Sequence, residues 1–335
     1  MKKVLALVLA LVLAFTLVAC GKPAAPAEGE KPADGGTPAE AKTYNVGVCV
    51  YKFDDNFMTY YREELQSYFK SLESDTVKYN VTVVDGKNDM AEQTNQVDTF
   101  LAQGVDVLIV NLVQSSSAAT ITEKADAAGV PVVYINRQPS DDDMKASKNI
   151  CYVGADASQS GTFQGDIVLA LADKGDVNGD GVVSYVMLVG DPENIDAQLR
   201  TEFSIKALTE AGVKVEKLFE QRGDWDQKKG EELANTALAQ FGDKIDVIFC
   251  NNDGMALGAA QAIKAANRTV GKDIYLLGVD NIPEANALVK SGEMTGTVFN
   301  DHIGQSHAAV DSAIRYINGE ANEAIQIIDY QKVTK

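Results

Sequence analysis

The sequence has few of the residues that nucleic-acid binding and imidazole chemistry require. It contains 30 lysines and arginines against 48 aspartates and glutamates, a net charge of −18, and no basic cluster. Because neutralising phosphates needs Lys and Arg, we do not expect the chain to bind nucleic acid. The only two histidines, His302 and His307, leave little for histidine catalysis or a zinc site.

Cysteine is also scarce, and its distribution does not predict a disulfide framework. Cys49, Cys151 and Cys250 each lie inside an apolar, strand-like run. Three is an odd number, and buried thiols behave as small hydrophobic groups, so we expect all three to be free. The fourth cysteine, Cys20, belongs to a different kind of segment.

The N-terminal segment carries the marks of export. Lys2 and Lys3 precede an apolar run over residues 4–18, which is short for a membrane-spanning helix. This pattern predicts a signal peptide over residues 1–19. Residues 17–20 resemble the bacterial lipobox, so Cys20 is the expected lipidation site; the alternative is an ordinary signal peptide with an incidental cysteine. Residues 20–43, rich in Pro, Ala, Gly and Glu, are predicted to tether the protein to the outer side of the cell membrane.

Strand-like apolar runs alternate with amphipathic helices through the remaining chain of about 290 residues, which is enough for two domains. Nearly all-apolar strands separated by helices predict parallel sheets covered on both faces. The alternation begins afresh after residue 156. The predicted fold class is therefore α/β, with two doubly wound parallel-sheet lobes and a ligand site in the crevice between them.

Polar side chains follow the predicted strands at the end where parallel sheets bind ligands. Asp55 and Phe57, after the first strand, suit a sugar, because a carboxylate accepts bonds from hydroxyls and a ring packs on the C–H face of a pyranose. The alternative is that Asp55 caps the next helix and Phe57 is core. The other strand-end residues are Asn136, Asn252, Asp253, Asp280 and Asn300. Each alone is typical of a turn or cap, but the set favours a sugar or polyol site.

A loop between the predicted strands has the spacing of a calcium-binding EF-hand loop. Oxygen-bearing side chains occupy its first, third, fifth and ninth positions, glycine the sixth, and the seventh offers a backbone carbonyl. These ligands are Asp176, Asn178, Asp180, Ser184 and the carbonyl of Val182. Met187 stands where the twelfth-position acid belongs, so a remaining ligand must come from elsewhere in the chain. An Asp/Asn/Gly-rich turn is the alternative.

Four features resemble, in order and spacing, the bacterial galactose/glucose-binding proteins: residues 51–58, the EF-hand-like loop, residues 252–253 and residues 278–280. The similarity runs from residue 44 to residue 300 and continues more weakly to the end. The resemblance implies a type I periplasmic binding protein that closes on a monosaccharide and serves an ABC importer permease and, in some bacteria, a chemoreceptor. It also implies a monomer that does no chemistry on its ligand and is not an enzyme.

The resemblance also implies a set of ligand contacts. Asp55 would bond the hydroxyl that distinguishes glucose from galactose, and Phe57 and Trp225 would sandwich the ring. The other implied contacts are Asn136, Asp196, Arg200, Asn252, Asp280 and Asn300. Arg200 and Asp196, four residues apart, also fit a surface ion pair. Asn194 replaces a family histidine, which changes one hydroxyl contact.

For calcium, the resemblance implies that Asp246 completes the site as a structural Ca²⁺ ligand. The family has glutamate at the position of Asp246 and glutamine at that of Ser184. A shorter carboxylate and a hydroxyl would weaken the site or admit water.

The predicted protein is therefore an extracytoplasmic, lipid-anchored receptor for glucose or galactose, or for a methyl-galactoside. Its three-segment hinge would divide a first lobe, residues 44–155 plus 301–329, from a second lobe, residues 156–300 plus 330–335. Alternatives are the same fold binding ribose, xylose or a furanosyl signal, and a sugar-responsive transcription factor. A glycoside-processing enzyme using Asp55, Asp196 and Asp280 is a further alternative.

Overall fold

The computed structural model of the protein describes residues 41–335. Cys20, the predicted signal peptide and almost all of the predicted tether lie outside the described residues. Within residues 41–335, no helix combines the length and apolarity needed to cross a membrane.

Strands and helices alternate along the described chain. The strands are β1 (Lys42–Val50), β2 (Val77–Asp85), β3 (Val107–Val110), β4 (Val132–Ile135), β5 (Ile150–Gly154), β6 (Val183–Val189), β7 (Val215–Arg222), β8 (Val247–Cys250), β9 (Tyr275–Leu277), β10 (Gly296–Phe299), β11 (Ile325–Ile327) and β12 (Gln331–Thr334). The α-helices are α1 (Asn56–Ser71), α2 (Met90–Gln103), α3 (Ala118–Ala128), α4 (Asp141–Lys145), α5 (Ala157–Leu169), α6 (Ile195–Glu210), α7 (Gln227–Phe241), α8 (Asp253–Ala265), α9 (Pro283–Ser291) and α10 (His302–Ile317).

The strands form two six-stranded sheets, one in each lobe. Their orders are β11-β5-β4-β3-β1-β2 and β12-β10-β9-β8-β6-β7. In the first sheet every pairing is parallel. Helices α1 and α10 cover one face of that sheet, and α2 and α3 cover the other. In the second lobe, α7, α8 and α9 pack on one face and α5 and α6 on the other. The predicted class of two doubly wound α/β lobes is confirmed.

The short central strands appear in the sequence as unbroken apolar runs because both of their faces are buried. All residues of β3, β4 and β8 are buried, because helices cover both sides of each sheet. Such strands have no wet face and appear as unbroken apolar runs. Cys49, Cys151 and Cys250 lie in three different core clusters as buried, free thiols.

The chain passes between the two sheets three times. The crossings lie between β5 and α5, between β10 and α10, and between β11 and β12. Each crossing is only a few residues long, so three short segments connect two separately packed cores. That arrangement permits rigid-body opening of the cleft.

Two elements are absent from the sequence prediction. Strand β12 pairs antiparallel with β10, the one antiparallel pairing among the described strands. Three of its four residues are exposed and it contains one apolar side chain, Val333, so it lacks a hydrophobic pattern. The short helix α4 depends on a reciprocal capping box between Ser140 and Asp143 rather than on an apolar face.

Candidate functional site

All ten predicted ligand contacts line one cavity between the lobes, at the carboxyl ends of the strands. They are Asp55, Phe57, Asn136, Asn194, Asp196, Arg200, Trp225, Asn252, Asp280 and Asn300. Tyr51, Met58 and Arg137 also line the cavity and were not predicted. Asp253, the remaining strand-end residue, lies behind the cavity wall, where it accepts bonds from Thr297 and the Ile282 amide. The cavity is therefore polar with a few aromatic and apolar surfaces.

Three of the lining side chains are also helix N-caps. Oδ1 of Asp55 accepts the Met58 amide at 2.8 Å, and its Oδ2 accepts the Tyr51 hydroxyl. Oδ1 of Asn194 accepts the Asp196 amide at 2.8 Å. A carboxylate oxygen has about two lone-pair positions, so capping leaves Asp55 able to accept a ligand hydroxyl. The two interpretations of Asp55 are thus compatible, and the cap holds its carboxylate in place.

Asn252 caps α8 in the same way and joins two parts of the cavity wall. Its Oδ1 accepts the Met255 amide at 3.0 Å, and its Nδ2 donates to the Trp225 carbonyl at 3.1 Å. Gly190 allows the Trp225 ring to approach the end of β6, since a Cβ at that position would lie 2.3 Å from the ring. The tryptophan is consequently positioned from both sides.

Three of the nine non-glycine residues with positive φ among residues 41–335 line the cavity. Asn136, Trp225 and Asp280 have φ values of 60°, 64° and 119°. Asparagine adopts this region with little penalty, whereas an aromatic residue there costs free energy that the surrounding structure must supply. Strained residues that point into one cavity indicate a preorganised binding site.

Arg200 is the buried cation of the cavity. Its guanidinium donates to the Asn251 carbonyl at 2.8 Å and to the Tyr330 hydroxyl at 3.0 Å, and it lies 4.0 Å from the Asp196 carboxylate. Arg200 and Asp196 have side-chain exposures of 4% and 12%. The pair is therefore interior, and the surface ion-pair interpretation is wrong. The buried Nε of Arg200 has no partner among the described residues.

Burial changes the acidity of the two carboxylates near Arg200. It raises the pKa of Asp280 to about 7, although Arg200 opposes the shift. Burial likewise raises the pKa of Asp196, against the attraction of Arg200 and Arg137. Asn300 donates from Nδ2 to Asp280 at 3.2 Å. Hydroxyl groups that donate to these carboxylates would favour their ionised forms.

Comparison with known proteins identifies the family. The model of the periplasmic binding protein domain matches residues 46–321. This chain belongs to the periplasmic binding protein family. The D-galactose/methyl-galactoside binding periplasmic protein of Haemophilus influenzae is 36% identical over 280 residues, 82% of each chain. The putative rhizopine-binding protein of Rhizobium meliloti is 33% identical over 300 residues, 89% of this chain and 92% of its own.

Solved structures agree with this assignment. An ABC transporter solute binding protein of Bacillus halodurans with bound myo-inositol superposes with a TM-score of 0.75 at 28% identity, covering 89% of this chain and 96% of that one. A galactofuranose binding protein has a TM-score of 0.78 at 23% identity, covering 87% and 94%, and supports the fold alone. As a periplasmic binding protein, the chain acts outside the cytoplasm and is not an enzyme.

The predicted calcium loop of this periplasmic binding protein adopts a compact turn. Both oxygens of Asp176 accept loop amides, from Gly179, Asp180 and Gly181, at 2.9 to 3.1 Å. The distant Asp246 reaches the loop, where its oxygens accept the amides of Asn178 at 3.3 Å and Ser184 at 2.8 Å. Within residues 41–335, no three acidic, histidine or cysteine side chains are grouped closely enough to hold a metal by themselves.

Proposed function

We propose that this protein captures a hexose, glucose or galactose, between its lobes and delivers it to an ABC importer. One observation carries the proposal: ten side chains suited to a sugar, drawn from both lobes, line one interlobe cavity. Hydroxyl groups both donate and accept hydrogen bonds. The aspartates offer acceptors, Arg200 offers donors, and the asparagines offer both. Phe57 from the first lobe and Trp225 from the second supply the two ring faces.

Contacts across the cleft support a closing mechanism. The Tyr60 hydroxyl of α1 lies 3.2 and 3.1 Å from the two carboxylate oxygens of Glu284 on α9. Nε2 of Gln114 lies 3.4 Å from a carboxylate oxygen of Asp191. These bonds join the lobes directly. They and a sugar bound in the cavity therefore stabilise the same closed arrangement. A permease that recognises the closed conformation can therefore distinguish the sugar-bound protein from the empty one.

Calorimetric titration with glucose and galactose tests this function. We expect saturable binding of at least one hexose, accompanied by a change in the fluorescence of Trp225, the only tryptophan. Phe57→Ala should weaken binding, whereas Phe163→Ala, which removes a ring that stacks under Lys332 outside the cavity, should not. Absence of binding to both hexoses by the folded protein would refute the proposal.

A second candidate is the same mechanism with a pentose, a furanose or a cyclitol. Asn194 favours it, because the side chain differs from the histidine that the resemblance implies at this position. The rhizopine-binding relative and the structure with myo-inositol add weight to that candidate. Titration with ribose, xylose and myo-inositol distinguishes the two, since binding of one of these without a hexose response would establish the alternative.

We further infer that Cys20 is lipidated, which would hold the receptor beside its permease, and that a chemoreceptor is a second partner in a motile host. Incorporation of labelled palmitate into the wild type but not into Cys20→Ser tests the anchor. A Cys49→Ser variant serves as the control, because that thiol is buried and should not be modified.

We also propose that residues 176–184 and Asp246 hold a structural Ca²⁺. The donors fit: Asp246 is fully buried beside the loop, and burial raises its pKa, as do the charges of Asp176 and Asp180. A bound cation would relieve that repulsion. Calcium should raise the melting temperature of the wild type relative to chelator, and Asp180→Ala, which removes the side-chain oxygen ligand, should abolish the difference. Asp142→Asn, on the exposed surface, is the control. Equal melting of the wild type with calcium and chelator would favour a simple turn.

A further inference from the structure

The turn that follows β9 presents Asp280 to the interlobe cavity in a strained conformation. Asp280 and Asn281 have φ values of 119° and 55°, so two consecutive non-glycine residues lie at positive φ. Such conformations cost free energy and persist only where the surrounding groups hold them. The groups that hold this turn therefore decide where the carboxylate of Asp280 lies.

Asp253, the first residue of α8, holds the turn on both sides of Asp280. Its backbone amide donates to the Val279 carbonyl at 2.7 Å. Its Oδ2 accepts the Ile282 amide at 3.0 Å. Asp253 is fully buried and does not line the interlobe cavity. It therefore fixes the residue before Asp280 and the second residue after it without reaching the ligand.

Thr297 of β10 joins Asp253 to the other amide of the turn. The Thr297 hydroxyl donates to Oδ1 of Asp253 at 2.6 Å and accepts the Asn281 amide at 3.3 Å. A carboxylate only accepts hydrogen bonds, whereas a hydroxyl both donates and accepts. Both amides that follow Asp280 are thus directed toward Asp253, one directly and one through Thr297. This arrangement leaves the carboxylate of Asp280 on the cavity side of the turn.

Burying the carboxylate of Asp253 is costly, because its two side-chain partners are neutral groups. Burial and the charge of Asp280 raise the pKa of Asp253 well above its usual range. Gly278 makes room for the carboxylate, since a Cβ at that position would lie 2.2 Å from Oδ1 of Asp253. An apolar side chain at position 253 would avoid the cost of burial but leave the Ile282 amide and the Thr297 hydroxyl without their acceptor. The order that Asp253 imposes on the turn offsets that cost.

We propose that Asp253 is a positioning residue of the hexose site, which holds the turn over residues 280–282 so that Asp280 meets a hydroxyl of the ligand. Asp253 acts through Asp280 and does not touch the ligand itself. This inference rests on the proposed function, because it concerns one of the ligand contacts of that site. A residue that only stabilised the second lobe would affect the melting temperature and have no specific coupling to Asp280.

Calorimetry with the better-bound hexose tests this role. Asp253→Ala should weaken binding about tenfold, because the turn loses two bonds, and Thr297→Val, which removes only the hydroxyl, about threefold. Asp253→Asn should lie between the wild type and Asp253→Ala, since its amide oxygen can still accept the Ile282 amide. Leu208→Ala, a buried change near the C-terminal end of α6, is the control. It should lower the melting temperature but leave the hexose Kd unchanged.

A double-mutant cycle with Asp280 separates positioning from stability. In an Asp280→Ala background, Asp253→Ala and Thr297→Val should each change the hexose Kd less than about twofold, because the carboxylate that they position is gone. If Asp253→Ala does not fold, Thr297→Val and Asp253→Asn decide the outcome through the same cycle. Effects of equal size with and without Asp280, or no effect of these variants on the hexose Kd, would overturn the inference. Failure of the wild type to bind any hexose would instead refute the proposed function, on which the inference rests.

Discussion

Replacing Arg200 with methionine should destabilise the protein by about 3 to 5 kcal/mol at pH 8, the cost of removing one partner from a buried ion pair. The structure accounts for this magnitude. The variant loses the bonds to the Asn251 carbonyl at 2.8 Å and the Tyr330 hydroxyl at 3.0 Å, and both acceptors are buried. It also leaves the carboxylate of Asp196 in the interior without its cation.

The pH dependence of that loss gives a sharper test. Burial already raises the pKa of Asp196, and Arg200 lowers it, so the variant's folded-state pKa rises further above the unfolded value. A raised folded-state pKa favours folding at low pH, where the group is protonated in both states, and stability is lost as the pH rises through it. The difference in unfolding free energy between wild type and Arg200→Met should therefore shrink as the pH falls from 8 to 5.

Urea unfolding followed by circular dichroism at both pH values measures these differences. Adding Asp196→Asn to Arg200→Met should recover part of the stability at pH 8, because it removes the unpaired charge. Lys145→Met is the control: its ion pair with Asp142 is exposed on both sides and should contribute less than about 1 kcal/mol. A loss below 1 kcal/mol for Arg200→Met at pH 8, or a loss that increases as the pH falls, would contradict the interior ion pair.

Three further outcomes are expected. Burial raises the pKa of Asp280 to about 7, and ligand hydroxyls favour its ionised form. Calorimetry should therefore find weaker hexose binding at pH 6 than at pH 8, and Asp280→Asn should remove this pH dependence. Tyr60→Phe breaks the bond to Glu284 across the cleft and should weaken affinity by about two- to tenfold, whereas Tyr68→Phe, bonded within its own lobe, should not. Asn194→Ala should cost about 1 kcal/mol of unfolding free energy through the lost cap of α6, which Asn194→Asp retains.

The sequence predicted the elements that depend on local pattern and failed where that pattern is weak. The apolar spacing predicts a helix over residues 118–128, and α3 has these bounds, with a glycine at its C-terminal cap. The apolar run at residues 81–85 predicts a strand there, but β2 begins four residues earlier, at Val77, since it lies at the edge of its sheet and its first residues are only half-buried. Half-buried edge residues need no apolar run and give no such signal.

The site shows the same division. The strand-end aspartates and asparagines stood out because such residues are unusual beside all-apolar strands. Tyr51, Met58 and Arg137 did not, because an aromatic, a methionine and an arginine next to a strand are equally typical of core and surface. Tyr51 and Met58 lie in the stretch 51–58 and Arg137 directly follows Asn136, but none of these positions reveals that the side chain is buried in the cavity wall.

By itself, the sequence determined the α/β class, the division into two lobes and the set of polar residues at the strand ends. These follow from periodicity and from the rule that ligands bind beyond the carboxyl ends of parallel strands. The tertiary structure decided how those residues are arranged: it buried the pair of Arg200 and Asp196, made Asp55 both a helix cap and part of the cavity wall, and brought strand-end residues of both lobes around one cavity. Burial, pKa and cavity shape arise from groups far apart in the chain, and no local pattern encodes the distance between them.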